Sequence, residues 1–227
     1  MRHWPLTQLT LTTPDLVLHV PDDDQLDELA QVAADGVVPP GAVYFPQPWA
    51  SGTPEQTARN VVQNHWWARG DWREDNWRLH LAVLHDGQVI GQQNLSARDF
   101  RVTREARTGF WLGQRFQGRG FGTQMRAAAL HLAFVCLGAE RVTSTAFADN
   151  AASRRVSEKF GYQANGVRRL AVDGRLVEVH EAVLTAETWR RQDQQPVLIK
   201  GFDECRHLFG LNPEPPEPGP VDMILHL

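Results

Sequence analysis

The residues with the most chemical potential lie between positions 109 and 123, Gly-Phe-Trp-Leu-Gly-Gln-Arg-Phe-Gln-Gly-Arg-Gly-Phe-Gly-Thr. An apolar strand ends over Phe110–Leu112 and runs into a short loop holding Gly118, Gly120 and Gly122. A helix rich in alanine and leucine follows, from about 120 to 137. Such a loop turns several backbone N–H groups toward one point at the positive end of a helix, an arrangement that suits a pyrophosphate. It is not a nucleoside-triphosphate loop, because no Gly-Lys-Ser/Thr closes it. The spacing Gln117-x-x-Gly120-x-Gly122 is also a poor dinucleotide fingerprint.

The elements that must position this loop follow from periodicity and turn signals. Leu16–Val20 reads as a strand. Pro21-Asp22-Asp23-Asp24 opens a helix over about 23–35, the acids complementing its dipole. The stretch 36–51 holds Pro39, Pro40, Pro46 and Pro48 and reads as a loop. Thr53-Pro54-Glu55 starts a second helix to about Arg69. Asp86-Gly87 between apolar runs 77–84 and 89–96 predicts a hairpin. Residues 98–104 are a polar connection, and 108–112 is the strand before the loop. Strand 141–147, a short helix to Phe160 and a hairpin about Asp173-Gly174 follow. Helices and strands alternate in the middle and hairpins lie on both sides. The expected class is therefore a mixed α/β (α+β) sheet covered by helices. One domain is expected over residues 1–193. A proline-containing extension over 194–227 is expected to pack on the body or on a partner.

The chain has 227 residues, 42% hydrophobic and 22% charged, with a net charge of −4. That balance gives no support for a nucleic-acid or anionic-membrane partner. No run of 18 apolar residues predicts a membrane span, and the N-terminus lacks an apolar signal core. A cytoplasmic protein is expected. Cys136 and Cys205 form neither a disulfide framework nor a zinc spacing. His65 and His80 are single histidines without metal-ligand spacing and receive no catalytic role. Eight tryptophans are many for this length. They serve as core filling or as an aromatic wall around a pocket.

Two motifs together resemble the GCN5-related N-acetyltransferase (GNAT) family. Gln117, Gly120 and Gly122 fill its Gln/Arg-x-x-Gly-x-Gly/Ala signature. Asn150, Ser153, Gly161 and Tyr162 fill a downstream Asn-x-x-Ser-x₇-Gly-Phe/Tyr pattern. The match covers about residues 14–191. Trp111-Leu112 and Gly118-Arg119-Gly120-Phe121-Gly122-Thr123 follow the branch that acetylates ribosomal-protein N-termini. The whole chain, including Arg2–Leu6 and Gly201–Asp203, is similar to an actinobacterial subgroup. A mycobacterial member of that subgroup is identified as a succinyl-CoA-dependent transferase.

The resemblance implies a sheet with two splayed parallel strands and an acetyl-CoA or succinyl-CoA donor. Its pyrophosphate would rest on backbone N–H groups of about Gln117 to Gly122, and its pantetheine arm along the strand end at Trp111, Leu112 and Gly113. Asn150 would contact that arm or cap its own helix. Ser153 would protonate the leaving thiolate or simply pack. Arg115, Arg119 and Lys159 would meet phosphates or solvent. The attacking group would be a primary amine on a small molecule, a protein N-terminus or a lysine. A homo-oligomer is expected. The acceptor pocket would draw on Tyr44, Phe45, Trp49, Trp66 and Trp67.

The sequence departs from the family at the position of a frequent glutamate, which is Arg107 here. Glu105 and Asp99 are alternative bases, with Glu178, His180 and Glu181 behind them and a water relay also open. Arg107 itself either reads a carboxylate on the acyl group or acceptor, or is a surface arginine on a strand. A non-catalytic acyl-CoA-binding module with the same fold is the alternative function.

Overall fold

The computed structural model describes residues 1–39, 42, 44–45, 49–172 and 174–211. Its strands are β1 Thr10–Thr12, β2 Val17–His19, β3 Asn76–His85, β4 Gln88–Arg98, β5 Glu105–Leu112, β6 Arg141–Phe147, β7 Gln163–Val172, β8 Arg175–Thr185 and β9 Leu198–Lys200. They form one mixed sheet in the order β7-β8-β6-β5-β4-β3-β2-β1-β9. The single parallel pair among them is β5 with β6. This is the mixed sheet flanked by helices that the sequence predicts.

The helices start where local chemistry dictates. Helix α1, Asp23–Ala34, is closed by a capping box in which Gln25 N–H donates to Asp22 Oδ1 and Asp22 N–H to Gln25 Oε1. Helix α2, Pro54–Gly70, repeats the device with Thr53 and Gln56. The polar connection after β4 contains a one-turn helix, α3, Phe100–Thr103, because Phe100 is fully buried and pins the turn to the core. Helix α4, Phe121–His131, continues through one π-turn over Leu132–Cys136. Helix α5 is Ala151–Lys159 and α6 is Ala186–Arg190. Helices α1 and α2 pack together on one face of the sheet, and α4 covers the other with α5 beside it.

The edge far from β7 differs from the expectation. Strand β1 pairs with β2 and with β9. Leu11 is buried between these partners, which gives two three-residue strands their reason to form. The turn α7, Phe202–Cys205, follows, and Cys205 and Phe209 are wholly enclosed. Phe209 stands edge-on to Trp77 with ring centroids 5.0 Å apart, and to Trp72 at 5.4 Å. Residues 198–209 thus complete the same core. The proline-rich stretch 213–218, the terminal 221–227, Pro40, Pro46, Pro48 and Asp173 lie outside the described residues.

Phe209→Ala removes a ring from this aromatic cluster. It should cost about 3–5 kcal/mol, read as a lowered urea midpoint. A loss under about 1 kcal/mol would mean that the segment is not part of the cooperative core.

Candidate functional site

Strands β5 and β6 pair only from Glu105↔Arg141 to Thr108↔Ser144. Beyond that point each keeps its other neighbour. Strand β5 follows β4 to Leu112, and β6 follows β8 to Phe147. The N–H of Gly113 donates to Ile90 O on the β4 side. Strand alternation then turns the N–H groups of Phe110 and Leu112 the other way, into the gap that β6 has left. A cleft of about 1270 Å³ occupies this gap. It runs through the sheet, since Arg107 and Trp111 line it from the α1/α2 face while Thr108, Phe110 and Arg126 line it from the α4 face.

The glycine loop closes one end. Gly118 and Gly120 have φ of 75° and 86°, a region only glycine enters cheaply. The N–H groups from Gly118 to Gly122 donate to no described residue and stand at the start of α4. Gln117 does not belong to that set: its N–H donates to Gln114 O. Its side-chain amide donates to Val37 O and Leu112 O, both at 2.9 Å. The signature glutamine therefore fixes the loop to the end of β5. A side chain at Gly122 would press on the Phe110 ring, so glycine there lets α4 approach β5.

The expected site residues divide. Trp111, Leu112, Gln117, Gly118, Gly120, Gly122, Thr123, Asn150, Ser153, Lys159 and Arg107 line the cleft. Asn150 caps α5, its Oδ1 accepting from Ser153 N–H at 3.1 Å, which leaves its amide hydrogens for a ligand. Arg107 reaches Thr145 Oγ1 at 3.4 Å. Others lie elsewhere. Gly113 is tied to β4. Phe121 is buried against His85 and offers only its backbone. Arg115 pairs with Asp35 at 3.5 Å, and Arg119 lies over the Phe121 ring. Glu105 stands at the opposite end of β5 from the gap and is held by Arg141 at 3.4 Å. Asp99 lies at the β4–α3 junction, where its carbonyl accepts from Val102 and Thr103. Neither carboxylate reaches the cleft, because the gap opens only after Thr108. Glu178, His180 and Glu181 also lie outside the lining, although Arg168, the partner of Glu181 at 3.3 Å, is within it. Tyr44, Phe45, Trp49 and Trp67 line the acceptor side, with Trp49 against Trp111 at 5.6 Å. Trp66 points away, 58% exposed.

Two features lie beyond the sequence reading. Arg78, Arg107, Arg126, Arg155, Lys159 and Arg168 line the cleft, and no carboxylate does so among the described residues. Arg126 is 1% exposed, with Nε and Nη1 unpartnered, and sits between the rings of Phe110 and Tyr162 at 5.0 and 5.5 Å. Cation–π attraction offsets part of its desolvation. The second feature is a histidine pair. His65 of α2 and His80 of β3 lie with ring centroids 5.1 Å apart, both buried. His65 Nε2 bonds Gln92 Oε1 at 2.7 Å, and Gln92 Nε2 donates to Asn94 Oδ1 at 2.6 Å. Only the period of two along β3, placing Arg78, His80 and Ala82 on one face, carries any trace of it in the sequence. No group of side chains suited to a metal ion occurs among the described residues, and none of their helices is long and apolar enough to cross a membrane.

The model of the acetyltransferase (GNAT) domain matches residues 15–163. That is well over half of the chain, which therefore belongs to the GNAT family. A Bacillus subtilis (strain 168) protein provisionally named a ribosomal N-acetyltransferase, YdaF, is 32% identical over 102 residues, or 44% of this chain. The match spans about half, 55%, of that relative's length. Among solved structures, Mycobacterium smegmatis RimJ in complex with CoA-disulfide superposes with a TM-score of 0.62 at 19% identity, covering 84% of this chain and 92% of that one. An acetyltransferase from T. thermophilus gives 0.63 at 22%, covering 80% and 91%. At such identities these structures speak for the fold.

Burial lowers the pKa of His65 to about 4, and burial together with His65 and nearby arginines lowers that of His80 to about 3. Unfolded, both titrate near 6.5. Their contribution to stability is therefore complete above pH 6.5. It drains as pH falls toward 4 and 3, because only the unfolded chain takes up the protons. Between pH 7 and pH 5 each histidine should cost about 2 kcal/mol. Urea unfolding across that range checks this. His65→Gln should flatten the dependence by one histidine's share, and an unchanged slope would contradict the assignment.

Proposed function

We propose that this protein transfers an acyl group from an acyl-coenzyme A to a primary amine. The observation that carries the reading is the run of unpartnered N–H groups at Gly118–Gly122 leading directly into the gap between β5 and β6. A pyrophosphate suits the first, and an extended amide-bearing arm suits the second, pairing with the free N–H groups of β5 as a short strand does. Asn150 offers its amide to that arm. Arg155 and Lys159 of α5 line the same cleft and suit the remaining phosphate.

The unprotonated amine nitrogen attacks the thioester carbon. A C–N bond forms, the C–S bond breaks, and the departing thiolate takes up a proton. Leu112 N–H is placed to stabilise the oxyanion, and Ser153 to protonate the sulfur. With no carboxylate among the described lining residues, the ammonium proton leaves through water. Acetyl is the default acyl group. Arg107 supports a succinyl group as the alternative, through a charge-assisted contact to its free carboxylate. The ribosomal naming of the curated relative supports a protein N-terminus as one acceptor class, beside a lysine or a small amine.

Calorimetry with acetyl-CoA and succinyl-CoA tests this. Both should bind the wild type, and Gly120→Ala should weaken both by about tenfold by straining the loop at φ 86°. Arg107→Ala should weaken succinyl-CoA alone by ~10–100-fold, the worth of a hydrogen bond to a charged group. Equal effects on the two donors would remove the succinyl reading. Failure of both to bind would remove the transferase reading. Binding without thiol release over a broad amine panel would leave a coenzyme A-binding module, the reading favoured by the lack of a carboxylate base.

A further inference from the structure

His80 stands between two cavities. The large cleft lies on one side. On the other is an enclosed space of about 20 Å³ bordered by His65, Arg69, Trp72 and His80, which is room for one water. Two atoms of these bordering residues are enclosed without a protein partner, His80 Nδ1 and Arg69 Nε. An arginine Nε only donates. A water accepting from Arg69 Nε–H has its own hydrogens to give and can donate to His80 Nδ1. That leaves the single proton of a neutral His80 on Nε2, as a donor to the cleft.

A second chain of hydrogen bonds runs beside the first with the same polarity. Gln92 Oε1 can only accept, so His65 donates to it from Nε2. Gln92 Nε2 then donates to Asn94 Oδ1, which leaves the Asn94 amide hydrogens to face outward. His80 and Asn94 are direct cross-strand partners, and Asn94 is next to Gly109. All three line the cleft. Nothing lies within 4 Å of where a Gly109 side chain would begin, so the space between Asn94 and the gap is open. Arg78 and Arg107 flank this row through Ser96.

We propose that His80 and Asn94 form a paired-donor subsite that takes a carbonyl or carboxylate oxygen of the acyl acceptor and lays its amine over Gly109 toward the gap. This rests on the transferase reading for its consequence but not for its geometry. Both chains terminate in N–H donors, so the subsite selects an amine that carries an oxygen acceptor close by. Amines without one lose the contact.

Two measurements test it. Nitrogen-15 histidine spectra of the free full chain should show His80 as the Nε2–H tautomer, its Nδ1 unprotonated, throughout pH 6–8. An Nδ1–H tautomer or an imidazolium in that range would overturn the proposal. Thiol release from acetyl-CoA is then followed with three probes: glycinamide, glycine and n-butylamine. Asn94→Asp, which puts an acceptor where a donor stood, should raise KM for glycinamide at least tenfold with kcat within about twofold, and leave butylamine unchanged. His80→Gln, which keeps a donor, should retain most of the glycinamide KM, while His80→Leu should not. Equal effects on glycinamide and butylamine, or none, would sink the idea. A preference for glycine that falls with salt identifies a carboxylate backed by Arg78 and Arg107; its absence identifies an amide carbonyl. If no amine releases thiol although CoA binds, the transferase reading fails separately. The His80 Nε2–H resonance of the CoA-loaded protein then decides. A shift on adding glycinamide but not butylamine supports the subsite, and no shift with either overturns it.

Discussion

Between Ser144 and Phe147 strand β6 turns away from β5, and a sheet that would otherwise be continuous gives up its hydrogen bonds at its centre. An enclosed backbone N–H without a partner costs about 1–3 kcal/mol, so such a gap survives only if something else enforces it. Here the outer neighbours do. Strand β4 holds β5 as far as Leu112, and β8 holds β6 as far as Phe147. The two strands stay ordered while their common edge stands open. The Gln117 amide, bonded to Leu112 O and Val37 O, then fixes where the glycine loop begins relative to that edge. The free N–H groups of the loop and those of the strand consequently lie along one path, and the donor reading depends on their continuity.

Charge acts along the same path. The chain carries a net −4, yet cations alone line the cleft among its described residues. Several acids that could have entered are held elsewhere, Glu105 by Arg141 and Asp35 by Arg115, while Asp71 and Glu181 pair with the outward sides of Arg78 and Arg168. A polyphosphate donor is favoured by such a field. The field also acts on the acceptor. Like charge nearby disfavours an ammonium, so the cleft shifts a bound amine toward the neutral form that attacks. Part of the work of a carboxylate base is done by the surroundings, which is consistent with Arg107 where relatives of this family carry an acid.

What could be read from the sequence was what is local in it. The loop 117–122, the Asp86-Gly87 turn, and the caps at Asp22 and Thr53 each place a chemical demand within a few residues of one another. They emerge in the structure as expected. The parts that escaped are joined across the chain. Strands β1 and β9 are three residues each and lie almost 190 positions apart, so neither has a periodicity to detect. Glu105 shares a face with Arg107, as the period of two predicts, but the sequence does not say where the parallel pairing ends. That end point excludes it from the cleft. His65 and His80 read singly as ordinary, because only the packing of α2 on β3 makes them a pair.

The same contrast separates the two halves of the site. The donor half is built mainly from backbone N–H groups held by glycine geometry, so it tolerates change in most side chains and remains recognisable over long divergence. The acceptor half is built from side chains on α2, β3, β4 and β5, each placed by a different part of the chain. Burial keeps both histidines neutral, and a neutral imidazole offers a directed donor without adding to an already cationic wall. The fold accepts a stability that declines in acid in return for an acceptor surface whose hydrogen bonds are aligned before any ligand arrives. Prealignment of this kind spares the ordering cost at binding. Discrimination between amines therefore resides in the polarity of the His65–Gln92–Asn94 chain and of His80 rather than in the loop that marks the family.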